Sequence, residues 1–299
     1  YSTNTPCSPC LNENEKILYD NDLEPDPIEI FIATEVNALN NKPHALIQVD
    51  NSLQDDTNNK VLIEIKSNSG IIHAWEFSNG TGIINFTDFD ILGLTDGDSN
   101  FTVGEIGGTS NSIISVGAYN SRSCTTMLYD NDNPKCYYED DLFVIADFSS
   151  LGPTIDNRIK PDITAPGNRI ISSISSFDNR YKWLTGEFND NARYSDIVSG
   201  ITDGNNDWYF GAQQGTSMSA PMVAGIVALM LEANPSLNFS EVKSILQNTA
   251  FTDQYTGSSI PDNTWGFGKI DAQAAIQSIE ASLSTNNLNF HNFKLYPNP

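Results

Sequence analysis

One stretch constrains the fold of this chain more than any other: GAQQGTSMSAPMVAGIVALM, residues 211–230. Ser217 stands among small residues there and leads directly into a long apolar segment. The segment predicts a helix from Ser217 to about Glu232 that is apolar nearly all round, and such a helix lies inside a domain. Pro221 falls in its first turn, where a missing N–H costs little. The chain must therefore build a core large enough to enclose this helix.

The start of the predicted helix gives Ser217 a distinctive electrostatic position. First-turn N–H groups have no partner within their own helix, and the helix dipole is positive at that end. Such groups would stabilise an anionic tetrahedral intermediate, so Ser217 is a candidate nucleophile. The alternative is that Ser217 only caps the helix, as serines often do.

The hydrophobic pattern predicts two kinds of structure in the rest of the chain. Residues 1–27 are polar and irregular, whereas residues 28–103 hold short β-branched or aromatic runs that predict an antiparallel sheet or small sandwich. A polar stretch at 176–214 predicts a long loop. Three compact apolar runs predict buried parallel strands: SIISVGAY (112–119), LFVIADFSS (142–150) and RIISSIS (169–175).

Two more helices follow the first one. Asn238, three residues before Glu241, marks the start of the second, and the third runs from Ala272 to about Ala281. Strands followed by helices predict the α/β class. Residues 282–299 begin with a composition typical of a linker and end in NFKLYPNP, which we interpret as the start of a further, truncated unit.

The motif GTSMSAP resembles the nucleophile motif of the subtilisin-like serine peptidases, the subtilases. Further segments agree in order and spacing over residues 104–281: IISVGAY, FSSLGP, KPDITAPG, VAGIVALMLEANPSLNFSEVKSILQNTA and WGFGKIDAQAAI. The resemblance implies an α/β, subtilisin-like three-layer domain with a parallel sheet, with residues 28–103 as an inserted β-rich subdomain. Met222 is a departure, because the family usually has a non-catalytic histidine there. A buried methionine can fill that space.

The resemblance also implies roles for individual residues. Ser217 would attack the scissile carbonyl of a protein or peptide substrate, and its own amide would donate one hydrogen bond to the oxyanion. Gly215 and Thr216 would shape the approach to the serine. This chemistry requires no cofactor, and structural calcium is an expectation at the level of the family.

The family needs three more groups that the sequence does not match. These are an aspartate in a D-[ST]-G context, a histidine followed by Gly and Thr or Ser at a helix start, and an oxyanion-hole asparagine. His44 and His73 lie in strand-like runs, and His291 lies in the tail. No aspartate has the required context, including Asp96, Asp98 and Asp203. We therefore expect the three groups in an upstream segment and an inactive isolated chain. The alternative is a catalytically dead binding or scaffold module.

The acidic composition limits the classes of partner. A net charge of −23 disfavours nucleic acid and anionic membranes. The longest apolar run, residues 223–230, is too short to span a bilayer. The acidic cluster at 96–100 lacks the glutamate of a complete EF-hand loop, which favours a plain polar turn over a calcium site.

The cysteines indicate the compartment. Four cysteines fit two disulfides in an oxidising environment: Cys7, Cys10, Cys124 and Cys136. Cys124 with Cys136 is typical of a loop staple, although spacing does not fix the connectivity, and the C-x11-C spacing is wrong for a zinc ribbon. The tail NFKLYPNP resembles the opening of the C-terminal sorting domain of Bacteroidetes secreted proteins. The sequence thus predicts a secreted or cell-surface bacterial protein.

Overall fold

The computed structural model divides into two compact units, residues 1–73 and 74–299. It describes residues 14–19, 28–36, 43–50, 69–75 and 86–88 and, with short gaps, 90–175 and 197–283. The predicted strand VLIEIKS, the polar segment 176–196 and the tail after residue 283 lie outside the described residues.

The first unit contains a three-stranded antiparallel sheet in the order β1-β2-β3. Its strands are β1 (Asn14–Tyr19), β2 (Ile28–Val36) and β3 (Pro43–Asp50). The runs at 28–36 and 44–50 thus form the antiparallel sheet that their β-branched composition predicts. The prediction of an irregular segment at 1–27 was wrong for β1, because its residues pair with β2 from Asn14↔Ala33 to Tyr19↔Ile28.

The second unit is built on a parallel pair of strands, β4 (Val116–Asn120) and β7 (Ile163–Asn168). Ala118 and Ala165 face each other in this pair, and both are fully buried. Three helices pack with the pair: α1 (Thr216–Ala233), α2 (Phe239–Thr249) and α3 (Ala272–Leu283). Apolar side chains of β7 and of the three helices form the core: Ile163, Ala165, Val223, Met230, Val242, Leu246, Ala275 and Ile279. The α/β class predicted from the sequence is confirmed.

The remaining strands are antiparallel. They are β5 (Cys124–Met127), β6 (Asp130–Cys136), β8 (Ile170–Ser173), β9 (Ile197–Asp203) and β10 (Asn206–Gln213). β5 pairs with β6, and the other three form a sheet in the order β8-β10-β9. Cys124 is disulfide-bonded, and the register of the β5–β6 hairpin places it opposite Cys136, as a loop staple requires. Cys7 and Cys10 lie outside the described residues.

Two of the three predicted parallel strands are wrong. The run at 169–175 forms β8, whose partner β10 is antiparallel, and β4 pairs instead with the preceding ITAPGN segment. The run at 142–150 forms an isolated antiparallel bridge, Tyr119↔Ile145, and a few further backbone hydrogen bonds with β4, but no strand, and Phe143 has a φ of 66°. Part of the predicted loop at 176–214 is the β9–β10 hairpin.

Helix α1 is less enclosed than its composition predicts. Only Ser219, Val223 and Met230 are buried, and Ala224 and Ala228 are exposed. The reason is that β4, β7 and α3 cover a single side of the helix, and no described residue covers the opposite side. By length and composition alone this 18-residue helix could cross a membrane. The helices of soluble cores share that composition, and α1 packs on β4 and β7 as such a helix does.

A buried carboxylate joins the start of β7 to α2. Asp162 accepts hydrogen bonds from Lys160 Nζ at 2.6 Å, Lys243 Nζ at 2.7 Å and the Ser115 amide at 2.9 Å. Burial alone would raise the pKa of Asp162, but these three donors outweigh burial and lower it. The charges therefore compensate one another inside the unit.

A second buried cation, Lys269, lies among aromatic rings. Its Nζ is 2.6 Å from Asp253 Oδ2 and donates to the Phe143 carbonyl at 2.8 Å. The centroids of four rings lie within 4.8–5.6 Å of it: Tyr119, Phe143, Tyr255 and Trp265. Burial, with the nearby Asp253 charge, raises the pKa of Tyr119 to about 12, so the phenol is neutral at physiological pH. These cation–π contacts stabilise the packing around Lys269.

The second predicted helix starts where the sequence indicates. Asn238 accepts from the Ser240 and Glu241 amides at 2.9 and 3.1 Å, and the Glu241 side chain accepts from the Asn238 amide at 2.8 Å. This is a complete capping box.

Removal of this cap should be measurable in the stability of the chain. Asn238→Ala is expected to lower the free energy of unfolding by about 1 kcal/mol, because two amides lose their acceptor. Asn248→Ala on the same helix is the control, since the Asn248 side chain is exposed and its hydrogen bond among the described residues goes to the exposed Ser244 hydroxyl. Urea denaturation followed by circular dichroism measures both, and equal losses would contradict the capping role.

Candidate active site

Ser217 lies at the start of α1, shortly after the end of β10. The strand ends at Gln213, the helix begins at Thr216, and Gly215 is the N-cap with a φ of 138°. This backbone conformation favours glycine, because a Cβ would be strained there. Ser217 is therefore the second helical residue, and the alternative that it serves only as a cap is wrong.

The first turn of α1 is held against the carboxyl end of β7. The Gly215 amide donates to the Gly167 carbonyl at 2.8 Å, and the Ser219 hydroxyl donates to the Ala165 carbonyl at 3.2 Å. Gly167 permits this approach because a Cβ there would overlap the Ser219 hydroxyl and Ala118. The sequence indicates this only indirectly, through the small residues on either side of Ser217.

The Ser217 side chain at this turn is accessible to solvent. Ser217 is exposed, and no described residue forms a hydrogen bond with its hydroxyl. Among the described residues, the Thr216 and Ser217 amides have no hydrogen-bond acceptor, whereas the Met218 amide donates to Gly215 O at 2.9 Å. Two free N–H groups beside an accessible hydroxyl can bind an oxyanion that forms when the hydroxyl attacks a carbonyl.

Asparagines lie at the carboxyl ends of β4 and β7. Asn168 Nδ2 donates to Asn120 Oδ1 at 2.9 Å, and both side chains are buried. Asn168 directly follows Gly167, so this pair extends the polar end of the strands next to the first turn of α1. Binding sites in α/β proteins commonly occupy this edge of a parallel sheet. No pattern in the sequence marks these two residues as part of the site.

The two described histidines, His44 and His73, lie in the first unit, whereas Ser217 lies in the second. His44 lies on β3 opposite Glu35, with its Nδ1 3.3 Å from Glu35 Oε1 and its side chain 59% exposed. His73 is half-buried, and residues 71–75 form neither strand nor helix, so the prediction of a strand there was wrong. His291 lies outside the described residues.

Aspartate side chains of the acidic turn at 96–100 accept hydrogen bonds from nearby backbone amides. Asp96 Oδ1 accepts from the Asp88 amide at 2.7 Å, and Asp98 Oδ1 accepts from the Asn100 amide at 2.7 Å. Hydrogen bonds of this kind are typical of polar turns. Within the described residues, no group of three His, Cys, Asp or Glu side chains could hold a metal ion.

Comparison with known proteins identifies relatives that are named as proteases. The chain is 34% identical over 169 residues to the serine protease AprX of Bacillus subtilis, which covers 56% of this chain and 30% of AprX. It is 33% identical over 136 residues to the minor extracellular protease Vpr of Bacillus subtilis, covering 45% of this chain and 14% of Vpr. The chain thus spans less than a third of each relative.

A solved structure and a family model complete the comparison. The CspB protease of Clostridium perfringens aligns with a TM-score of 0.37 and 23% identity over 63% of this chain and 30% of that one. The subtilase family model matches residues 44–268, which include the nucleophile motif and well over half of the sequence. The match begins inside the segment that we interpret as an insertion. This chain belongs to the subtilase family, peptidase S8.

Proposed function

We propose that this chain is part of a serine endopeptidase that hydrolyses extracellular proteins through an acyl-enzyme on Ser217. The observation that carries the proposal is the first turn of α1, where an exposed hydroxyl lies beside two amides that have no acceptor among the described residues. Family membership and relatives named as proteases support it. The name of Vpr as an extracellular protease supports a secreted location.

The proposed reaction follows from this geometry. The Ser217 hydroxyl attacks the scissile carbonyl while a general base takes its proton, and the carbonyl oxygen becomes an oxyanion. The Ser217 amide donates to that oxyanion. The tetrahedral intermediate then collapses to an acyl-enzyme as the general base gives the proton to the leaving amine. Gly215 and Thr216 line the path by which the substrate approaches. The absence of a Cβ on Gly215 leaves space for the backbone of the substrate.

The general base is proposed to come from an upstream segment of the full-length protein. That segment supplies the histidine, the aspartate that orients it and the oxyanion-hole asparagine. Two observations support this: the exposed His44 side chain is paired with Glu35, and the described residues around His73, 71–75, form no helix. The Ser217 hydroxyl faces solvent, which leaves it accessible to a base from another segment.

Two further features are proposed from the sequence alone. Structural calcium is a family-level expectation that we assign to no described residue. The tail NFKLYPNP is proposed to begin a sorting domain for secretion. Both can be tested in the full-length protein, by calcium chelation followed by thermal unfolding and by deletion of the tail followed by fractionation of the culture.

Turnover by the isolated chain, compared with the full-length protein, tests the proposal. Hydrolysis of casein is expected from the full-length protein and not from residues 1–299, because the base is absent from the latter. Turnover by residues 1–299 would show that this chain itself contains the base. Absence of turnover by a folded full-length protein would favour a catalytically dead binding or scaffold module instead.

A further inference from the structure

Ser219 is a fully buried hydroxyl two residues after the nucleophile. Alanine is the better helix former at such a position, and a buried hydroxyl is costly unless it is hydrogen-bonded. A helical serine commonly donates to the carbonyl four residues earlier in its own helix. Here that carbonyl, on Gly215, accepts from the Met218 amide, and the Ser219 hydroxyl donates to Ala165 O on β7 at 3.2 Å.

A second bond reaches the same strand from the other side of Ser217. The Gly215 amide, two residues before the nucleophile, donates to Gly167 O at 2.8 Å. Ala165 and Gly167 are alternate residues of β7, so their carbonyls hold the turn at two points that bracket Ser217. The strand itself is fixed, because Ala165 is fully buried and pairs with Ala118 of β4.

The packing at Gly167 brings the two elements into direct contact. The φ of Gly167 is not in the left-handed region, so space rather than conformation requires glycine there. A Cβ at this position would overlap the Ser219 hydroxyl and the Ala118 side chain. The hydroxyl therefore fills the gap that the missing Cβ leaves.

We propose that Ser219 is a positioning residue for the nucleophile: its bond to Ala165, together with the bond from Gly215 to Gly167, sets the first turn of α1 on β7. Ser219 touches no reacting atom. It acts by holding the direction of the Ser217 side chain and of the two free amides beside it. This inference rests on the proposed peptidase function.

The test is Ser219→Ala in the full-length protein. Misplacement of a catalytic group by 1 Å costs about 10²-fold in rate. Loss of one of two fixing bonds should shift the turn by less, so we expect kcat to fall about tenfold with KM unchanged. Labelling of Ser217 by a fluorophosphonate should slow by a similar factor.

Thr164→Val is the matched control. Thr164 is also fully buried on β7, and its hydroxyl also donates to a carbonyl, that of Gly268 at 3.0 Å, but on the side away from α1. Valine keeps the shape and removes the bond. This variant should lose stability to a similar extent and keep the parent kcat, which separates positioning from stability.

The outcomes distinguish the inference from the function on which it rests. If the parent cleaves casein and Ser219→Ala has the parent kcat, or if Thr164→Val loses as much kcat, the positioning role is wrong and the peptidase function stands. If the folded parent neither cleaves nor labels, the proposed function fails and this inference fails with it. Gly167→Ala gives a second perturbation, since the added Cβ pushes on the same hydroxyl, and it should reduce kcat further.

Discussion

Replacement of Ser217 by alanine is expected to abolish peptide hydrolysis by the full-length protein. Loss of the nucleophile in this chemistry costs about 10⁶-fold in kcat, because the remaining groups stabilise the oxyanion but nothing attacks the carbonyl. The fold should persist, since the Ser217 side chain is exposed and forms no hydrogen bond with the described residues. Casein hydrolysis and circular dichroism measure the two quantities.

Ser278→Ala is the control for this experiment. Ser278 is another helical serine of the same unit, and its hydroxyl bonds only the Ala275 carbonyl within α3. It should keep the parent rate. Casein cleavage by Ser217→Ala at the parent rate would remove Ser217 from the mechanism.

The largest loss of stability is expected from Asp162→Ala. This change leaves the Lys160 ammonium buried without its carboxylate, and unpairing of a buried charge costs about 3–5 kcal/mol. Domains have total stabilities of about 5–15 kcal/mol, so the loss should be evident. Urea denaturation followed by circular dichroism is a suitable measurement, because α1, α2 and α3 lie in the same unit.

A matched surface pair shows whether burial is the cause. Asp156 also accepts from a cation, Arg158 at 2.9 Å, but its side chain is 58% exposed. Asp156→Ala is expected to cost at most about 1 kcal/mol. Equal losses for the two variants would contradict a special contribution from the buried network.

The same carboxylate predicts a pH dependence with a defined sign. The folded-state pKa of Asp162 is lowered, so the ionised carboxylate stabilises the fold above its unfolded-state pKa of about 4. That contribution is lost as the pH falls through the lower folded-state value. The difference in stability between the parent and Asp162→Asn should therefore be constant near pH 7 and decrease below about pH 4.

The elements that the sequence predicted well are those with local signals. Asn238 and Glu241 form the capping box that marks the start of α2, and the apolar VGAY segment forms β4. In both cases a few neighbouring residues determine the structure. The motif around Ser217 likewise identified the first turn of α1.

The elements predicted wrongly depend on contacts between distant residues. RIISSIS has the composition of a parallel strand, but its pairing partner β10 lies about 40 residues later in the chain and is antiparallel. The enclosure of α1 depends on which elements surround it, and the described ones cover one side. Its composition alone does not contain that information.

The sequence identified a candidate nucleophile, but not the contacts that hold it in place. A serine before an apolar helix indicated Ser217, but the sequence also allowed that serine to be the cap. The structure rules out the cap role, because Gly215 is the N-cap and Ser217 is the second helical residue. The bonds to Ala165 and Gly167 join residues about 50 positions apart, so no local pattern announces them.

The most direct test of the central claim is to map a fluorophosphonate adduct by mass spectrometry in the full-length protein. A nucleophile activated by a base and an oxyanion site reacts with this reagent, whereas ordinary surface serines do not. We predict one adduct per chain, on the peptide that contains Ser217, and none in Ser217→Ala. An adduct on another serine, or none in a protein that cleaves casein, would contradict the assignment of Ser217 as the nucleophile.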